Sequence, residues 1–171
     1  MPRADRAPRG ELQTAALPAD HRGRCRGLSA RGRGHCRFPQ GPGGMTNAAQ
    51  IYDRVALIGL GLIASSMFWG MRRAGLAGEV TGYARSRETR DTARRIGLCD
   101  HVLDSAEAAV AGADLVVLAV PVGAMGAVAA QIAPHLKPGA TLIDVGSVKG
   151  AVVEAVAPHL PEHVHFVPCH P

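Results

Sequence analysis

A glycine-rich turn, a pair of arginines, a hydroxyl beside a lysine and a histidine near the last residue are the groups in this chain that could do chemistry together. The turn is Gly59-Leu-Gly61-Leu62-Ile63-Ala64, set between the apolar run Arg54-Val-Ala-Leu-Ile58 and the stretch Ser65-Ser-Met-Phe-Trp69. Each small residue has a job: Gly59 makes the tight turn, Gly61 puts no side chain in the path of a pyrophosphate, and Ala64 lets helix and strand pack closely. The N–H groups that open the helix, at Leu62 and Ile63, then face an anion. G-x-G-x-x-A reads as a dinucleotide fingerprint only between a strand and a helix, and both are expected here.

The second group follows the run Glu79-Val-Thr-Gly-Tyr83, where dinucleotide-binding chains that choose NAD place an acid against the ribose 2′-hydroxyl. This chain has Ala84, Arg85, Ser86 and Arg87. A guanidinium and a hydroxyl there suit a 2′-phosphate, so the expected cofactor is NAD(P), with NADP favoured and NAD open. The competing reading is that Arg85 and Arg87 merely solvate a helix start. In Asp144-Val-Gly146-Ser147-Val-Lys149, Ser147 either caps the following helix or offers its hydroxyl to nicotinamide and substrate. Lys149 either attracts an acidic substrate or sits in solvent.

The chain closes on His163-Val-His165-Phe-Val-Pro168-Cys169-His170-Pro171. The spacing fits no common zinc pattern and no ligand pair matches it elsewhere, so no metal is expected. His170 is the better candidate for acid/base work because imidazole titrates near neutral pH.

These groups need a frame, and the apolar patterning supplies one. Strands are predicted at Arg54–Ile58, Glu79–Tyr83, His101–Leu103, Asp114–Val120, Thr141–Val145 and Val164–Val167. Helices are predicted after Gly61, over Arg87–Ile96 with a stop at Gly97, and over Ser105–Ala111, Gly123–Ala133 and Ser147–Ala157. Strands that are apolar throughout are central and parallel. Six strands alternating with helices make an α/β, Rossmann-type doubly wound parallel sheet of order 3-2-1-4-5-6, with its crevice at the carboxyl ends of strands 1 and 4. Gly59, Val120, Pro121, Gly146 and Ser147 fall on that rim.

Composition divides the chain. Residues 1–44 hold nine arginines, no lysine and three acids, a balance of +6, whereas residues 45–171 carry −1. The first part is rich in Arg, Gly and Pro, has Phe38 as its only aromatic and shows no apolar period, so disorder is expected there. An RNA-binding arm, a transit peptide and sequence upstream of a natural start at Met45 all compete. The last is preferred, since stacking aromatics and an amphipathic Ser-rich helix are both lacking. Residues 45–171 form the expected cofactor-binding domain, with no nucleic-acid partner. Leu115–Ala130 is apolar but broken by Pro121, Gly123 and Gly126, so it reads as strand, turn and helix, with no membrane span. Cys25, Cys36, Cys99 and Cys169 show no paired spacing. Without a sorting signal, a cytoplasmic protein is expected.

Taken together, Val55-Ala-Leu-Ile-Gly-Leu-Gly-Leu-Ile-Ala64, Ala113-Asp-Leu-Val-Val-Leu-Ala-Val-Pro121, Asp144-Val-Gly-Ser-Val-Lys149 and His170-Pro171 resemble the prephenate/arogenate dehydrogenase family, from about residue 52 onward. The resemblance implies oxidative decarboxylation of prephenate to 4-hydroxyphenylpyruvate, or of arogenate to tyrosine. It implies that His170 hydrogen-bonds the ring hydroxyl and helps remove its proton, and that Ser147 binds beside it. Ala84 departs from an acid often found in the family, and Pro168-Cys169 from the small residues that tend to precede the histidine. In the family a helical second domain follows, forms a homodimer and holds the small-molecule substrate's carboxylates; that C-terminal helical dimerisation domain is absent from these residues. The chain alone is therefore expected to be almost inactive. Two alternatives remain: another Rossmann NAD(P)-dependent dehydrogenase, or a non-catalytic nucleotide-binding fragment.

Overall fold

A computed structural model describes residues 50–169. The arginine-rich stretch, Met45, His170 and Pro171 lie outside the described residues, which all fall in the unit Pro42–Pro171.

Strands β1 (Tyr52–Ile58), β2 (Ala77–Tyr83), β3 (His101–Val102), β4 (Leu115–Leu118), β5 (Thr141–Asp144) and β6 (His165–Val167) form one sheet in the order β3-β2-β1-β4-β5-β6. Every adjacent pair is parallel. The helices are α1 (Leu62–Ala74), α2 (Arg87–Ile96), α3 (Ala106–Val110), α4 (Val122–Ile132) and α5 (Lys149–Val156). The sheet order and the doubly wound architecture are those expected from the sequence.

The apolar strands are continuous because both sheet faces are covered. In β1 and β4, Ala56, Ile58, Val116 and Leu118 point to one face, where Val110 of α3, Met125, Ala129 and Ile132 of α4, and Val152 and Val156 of α5 pack. The alternating residues Val55, Leu57, Leu115 and Val117 meet Ala64, Phe68 and Met71 of α1 and Ala93 of α2 on the other. Side chains as large as Leu57, Leu118, Met125 and Ile132 are fully buried, and each contributes about 1.5–3 kcal/mol of transfer free energy. Thr81, a buried hydroxyl in β2, donates to the Ala109 carbonyl oxygen at 2.7 Å and joins α3 to the sheet.

Boundaries differ from expectation where local contacts intervene. β4 stops at Leu118, since Pro121 cannot donate to a ladder and the chain turns into α4. Helix α3 begins one residue later than expected because Ser105 is its N-cap, the hydroxyl accepting from Ala108 N at 3.1 Å. The change that bears most on the site is at α5. It begins at Lys149, not Ser147, because Val148 has the non-helical angles φ −109°, ψ 82°, and Ser147 makes no capping hydrogen bond.

Candidate cofactor-binding site

Parallel register brings the site to one edge. Ile58 lies opposite both Tyr83 and Leu118, and Leu118 lies opposite Asp144, so the residues leaving β1, β2, β4 and β5 emerge in a row. Val167 pairs with Ile143, which adds the chain after β6 to the same edge.

At the centre of the row, Gly59 adopts φ +99° and donates its N–H to the Tyr83 carbonyl at 2.8 Å. The turn delivers the chain to α1, whose N-cap is Gly61 with no side-chain cap and no acid in the first turn. Among the described residues the N–H groups of Leu62, Ile63 and Ala64 have no acceptor; the first intrahelical bond runs from Ser65 N to Gly61 O at 2.9 Å. Leu62 is 89% exposed, so its backbone is open to solvent, while Ala64 is buried against the sheet. Three unpaired donors at the positive end of a thirteen-residue helix make an anion cradle. A β-carbon at Gly61 would have no protein atom within 4 Å, and its φ of −86° suits any residue. Neither packing nor backbone conformation requires glycine there, which fits a pyrophosphate approaching from outside.

Beside this cradle, the turn from β2 into α2 differs from the sequence reading in detail. Ala84 is 6% exposed and packs in the cluster with Leu60, Ala93 and Leu98, so its side chain does not face the rim. Arg85 is exposed and its side chain makes no ion pair or hydrogen bond among the described residues. Arg87 pairs with Asp91 at 3.6 Å on the surface of α2. Ser86 caps α2, accepting from Thr89 N at 3.4 Å, and still has its hydroxyl proton to donate.

The sequence reading missed Arg90. Its guanidinium donates to the carbonyls of Ala84 at 2.7 Å and Arg85 at 3.0 Å, pairs with Asp104 at 3.1 Å and lies 5.7 Å over the Tyr83 ring. At 13% side-chain exposure it is a clamp on the turn and not a free cation. Arg94 is the first cause, and Arg90 a further one, that holds the Asp104 carboxyl below the ordinary carboxylate range. The available signal was its place four residues after Ser86, on the side of α2 near Ala93.

On the far side, Val120 is half-buried with Cγ1 against Gly59, and Pro121 is the N-cap of α4. Gly146 follows β5 at this edge and is buried: a β-carbon there would lie 2.9 Å from Val152 Cγ2 and 3.1 Å from Asp144 Oδ2. Ser147 is exposed and its hydroxyl has no partner among the described residues, so the capping reading is removed. Lys149 is ion-paired to the buried Asp144, which replaces both earlier readings of that lysine. Asp144, unassigned from sequence, is fully buried. The signal was an acid at the end of the apolar run Thr141-Leu-Ile. Among the described residues no group of three or more His, Cys, Asp or Glu is placed to hold a metal, and no helix is long and apolar enough to cross a membrane.

The arrangement can bind a dinucleotide along β1, β2 and β4 and present a free hydroxyl from β5. Known proteins share this fold and this nucleotide-binding class. The family model described as prephenate dehydrogenase, nucleotide-binding domain, matches residues 69–171. Cyclohexadienyl dehydrogenase of Zymomonas mobilis is 44% identical over 121 residues, covering 71% of this chain and 41% of that protein. Prephenate dehydrogenase of Lactococcus lactis is 35% identical over 102 residues, covering 59% and 28%. Among solved structures, prephenate dehydrogenase from Aquifex aeolicus in complex with hydroxyphenyl propionate and NAD+ superposes with a TM-score of 0.62 at 30% identity, covering 70% of this chain and 41% of that one. The chain thus spans about two fifths or less of the length of these relatives. Its fold, its glycine turn and the family match together show that the chain belongs to the prephenate dehydrogenase family, as a nucleotide-binding domain.

Proposed function

We propose that this chain is the NAD(P)-binding portion of a prephenate/arogenate dehydrogenase that oxidatively decarboxylates prephenate to 4-hydroxyphenylpyruvate, or arogenate to tyrosine. The observation that carries the reading is the uncapped start of α1, with three free N–H donors behind a glycine that the fold itself does not require.

The N–H groups of Leu62, Ile63 and Ala64 hold the pyrophosphate, and Val120 and Pro121 border the path toward the nicotinamide end. Arg85 and Ser86 read the adenosine ribose. An unpaired guanidinium and a hydroxyl beside a position with no acid support NADP over NAD. The bound dinucleotide supplies a hydride acceptor. His170 accepts the proton of the substrate's ring hydroxyl, and Ser147 hydrogen-bonds the same oxygen and orients it. The complete enzyme works as a cytoplasmic homodimer whose remaining residues hold the substrate's carboxylates.

Calorimetric titration of the chain with NADP+ and NAD+ at fixed salt tests this. Both bind, NADP+ more tightly, and Arg85→Ala narrows the difference by about tenfold. Tighter binding of NAD+ would make Arg85 a bystander, and binding of neither would overturn the assignment.

A further inference from the structure

We propose that Asp144 is the positioning residue of this site: one buried carboxylate fixes both the loop that carries Ser147 and the chain that leads into His170. The inference rests on the reading above for what Ser147 and His170 do.

Asp144 ends β5 with no exposed surface, and a carboxylate so placed needs donors around it. It has them from three separate places. Oδ2 accepts from the Gly146 N–H at 2.7 Å and from the Lys149 ammonium, and Oδ1 accepts from the Cys169 N–H at 3.2 Å. Gly146 and Lys149 stand on either side of Ser147. Both are held by the same carboxylate, whereas the Ser147 hydroxyl itself has no partner among the described residues. The backbone is thereby fixed and the hydroxyl left available.

The third donor comes from across the sheet. Cys169 lies 25 residues further along the chain, beyond the last pairing of β6, and its N–H has turned inward to Asp144. The next residue in the sequence is His170. The acid therefore couples the two segments that carry the proposed hydroxyl and base. Lys149 is its counter-charge, not a substrate-binding cation. Gly146 completes the device, since a side chain there would press on Asp144 Oδ2 and Val152. A carboxamide cannot replace the group, because it offers one acceptor oxygen where the carboxylate has two.

Amide hydrogen exchange on the isotope-labelled chain, with NADP+ and NAD+ calorimetry, tests the proposal. In the wild type the Cys169 amide exchanges at least about 100-fold more slowly than a free amide. Asp144→Asn accelerates it by at least about tenfold while Val117 in β4 changes by less than about threefold. Lys149→Gln leaves the carboxylate in place and keeps Cys169 protected. An unprotected Cys169 amide in the wild type overturns the proposal, as does an Asn variant in which all amides accelerate together. Should Asp144→Asn not fold, the wild type and Lys149→Gln decide between the same two outcomes. A wild type that protects Cys169 but binds neither cofactor would overturn the functional reading and leave the coupling of the two segments standing.

Discussion

The turn after β1 presses on the chain leaving β4 so closely that a β-carbon on Gly59 would stand 2.3 Å from the carbonyl oxygen of Ala119. With φ at +99° the position excludes a side chain twice over, by space and by backbone strain. Gly61 has neither constraint. Gly59→Ala is expected to lower stability by about 2–4 kcal/mol. Gly61→Ala is expected to change it by less than about 1 kcal/mol and yet to weaken NAD(P) binding at least about tenfold. Urea unfolding and calorimetry on the two variants check this; an equal loss of stability would remove the distinction between a fold glycine and a ligand glycine.

Ser147 and Ser105 make a second contrast. Ser105 accepts from Ala108 N and caps α3, whereas Ser147 caps nothing. Ser105→Ala should cost about 1 kcal/mol and Ser147→Ala less than about 0.5 kcal/mol. Thermal denaturation of the pair reads this directly, and a Ser147→Ala variant as unstable as Ser105→Ala would restore the capping role.

Removing Arg90 takes away two carbonyl contacts and the cover over Tyr83. Arg90→Ala should lower stability by about 1–2 kcal/mol and weaken NADP+ and NAD+ alike, because the whole turn at Ala84 and Arg85 loosens. Titration of both cofactors distinguishes it from Arg85→Ala, which should affect NADP+ alone.

At the opposite edge of the sheet, Asp114 accepts from Arg54 N at 2.8 Å and pairs with Lys137, and those contacts hold its carboxyl below the ordinary range, the Lys137 hydrogen bond foremost. A carboxyl that titrates lower in the folded than in the unfolded chain stabilises above the ordinary carboxylate range, and the effect fades as pH falls through the lowered value. Asp114→Asn should therefore be less stable than wild type by about 1 kcal/mol at neutral pH and approach it in acid. Denaturant titrations across pH would show the two curves converging; a constant gap would assign the effect elsewhere.

Burial pushes the Cys99 thiol up to about 12, with Asp100 adding to the shift. Cys169 is half-buried at the rim. At mildly alkaline pH, iodoacetamide should modify Cys99 at least about tenfold more slowly than Cys169, read by peptide mass mapping. Equal rates would mean that Cys99 opens to solvent.

Where the chemistry depended on local pattern, the sequence was enough. Runs such as Leu115-Val-Val-Leu118 announce a strand covered on both faces, the glycine turn announces a helix start open to an anion, and the alternation of strands and helices leaves one sheet order. These are properties of residues within a few positions of one another, and hydrophobic periodicity and backbone freedom act at that range.

What each polar group near the rim does was decided by the partners that packing gave it, near or far in sequence. Ala84 turned inward because Leu60 and Ala93 close over it, Lys149 lost its freedom to Asp144, and Ser147 lost its cap because the same carboxylate draws in Gly146 ahead of the helix. Asp144 itself reads as an ordinary strand end until β6 brings the Cys169 N–H to it. A buried charge takes whatever donors the fold assembles around it; Gly146 and Lys149 are near in sequence, and the parallel pairing of β5 with β6 adds the distant Cys169 N–H. Composition and spacing settle which elements form; the partners of each buried polar atom are settled when those elements pack.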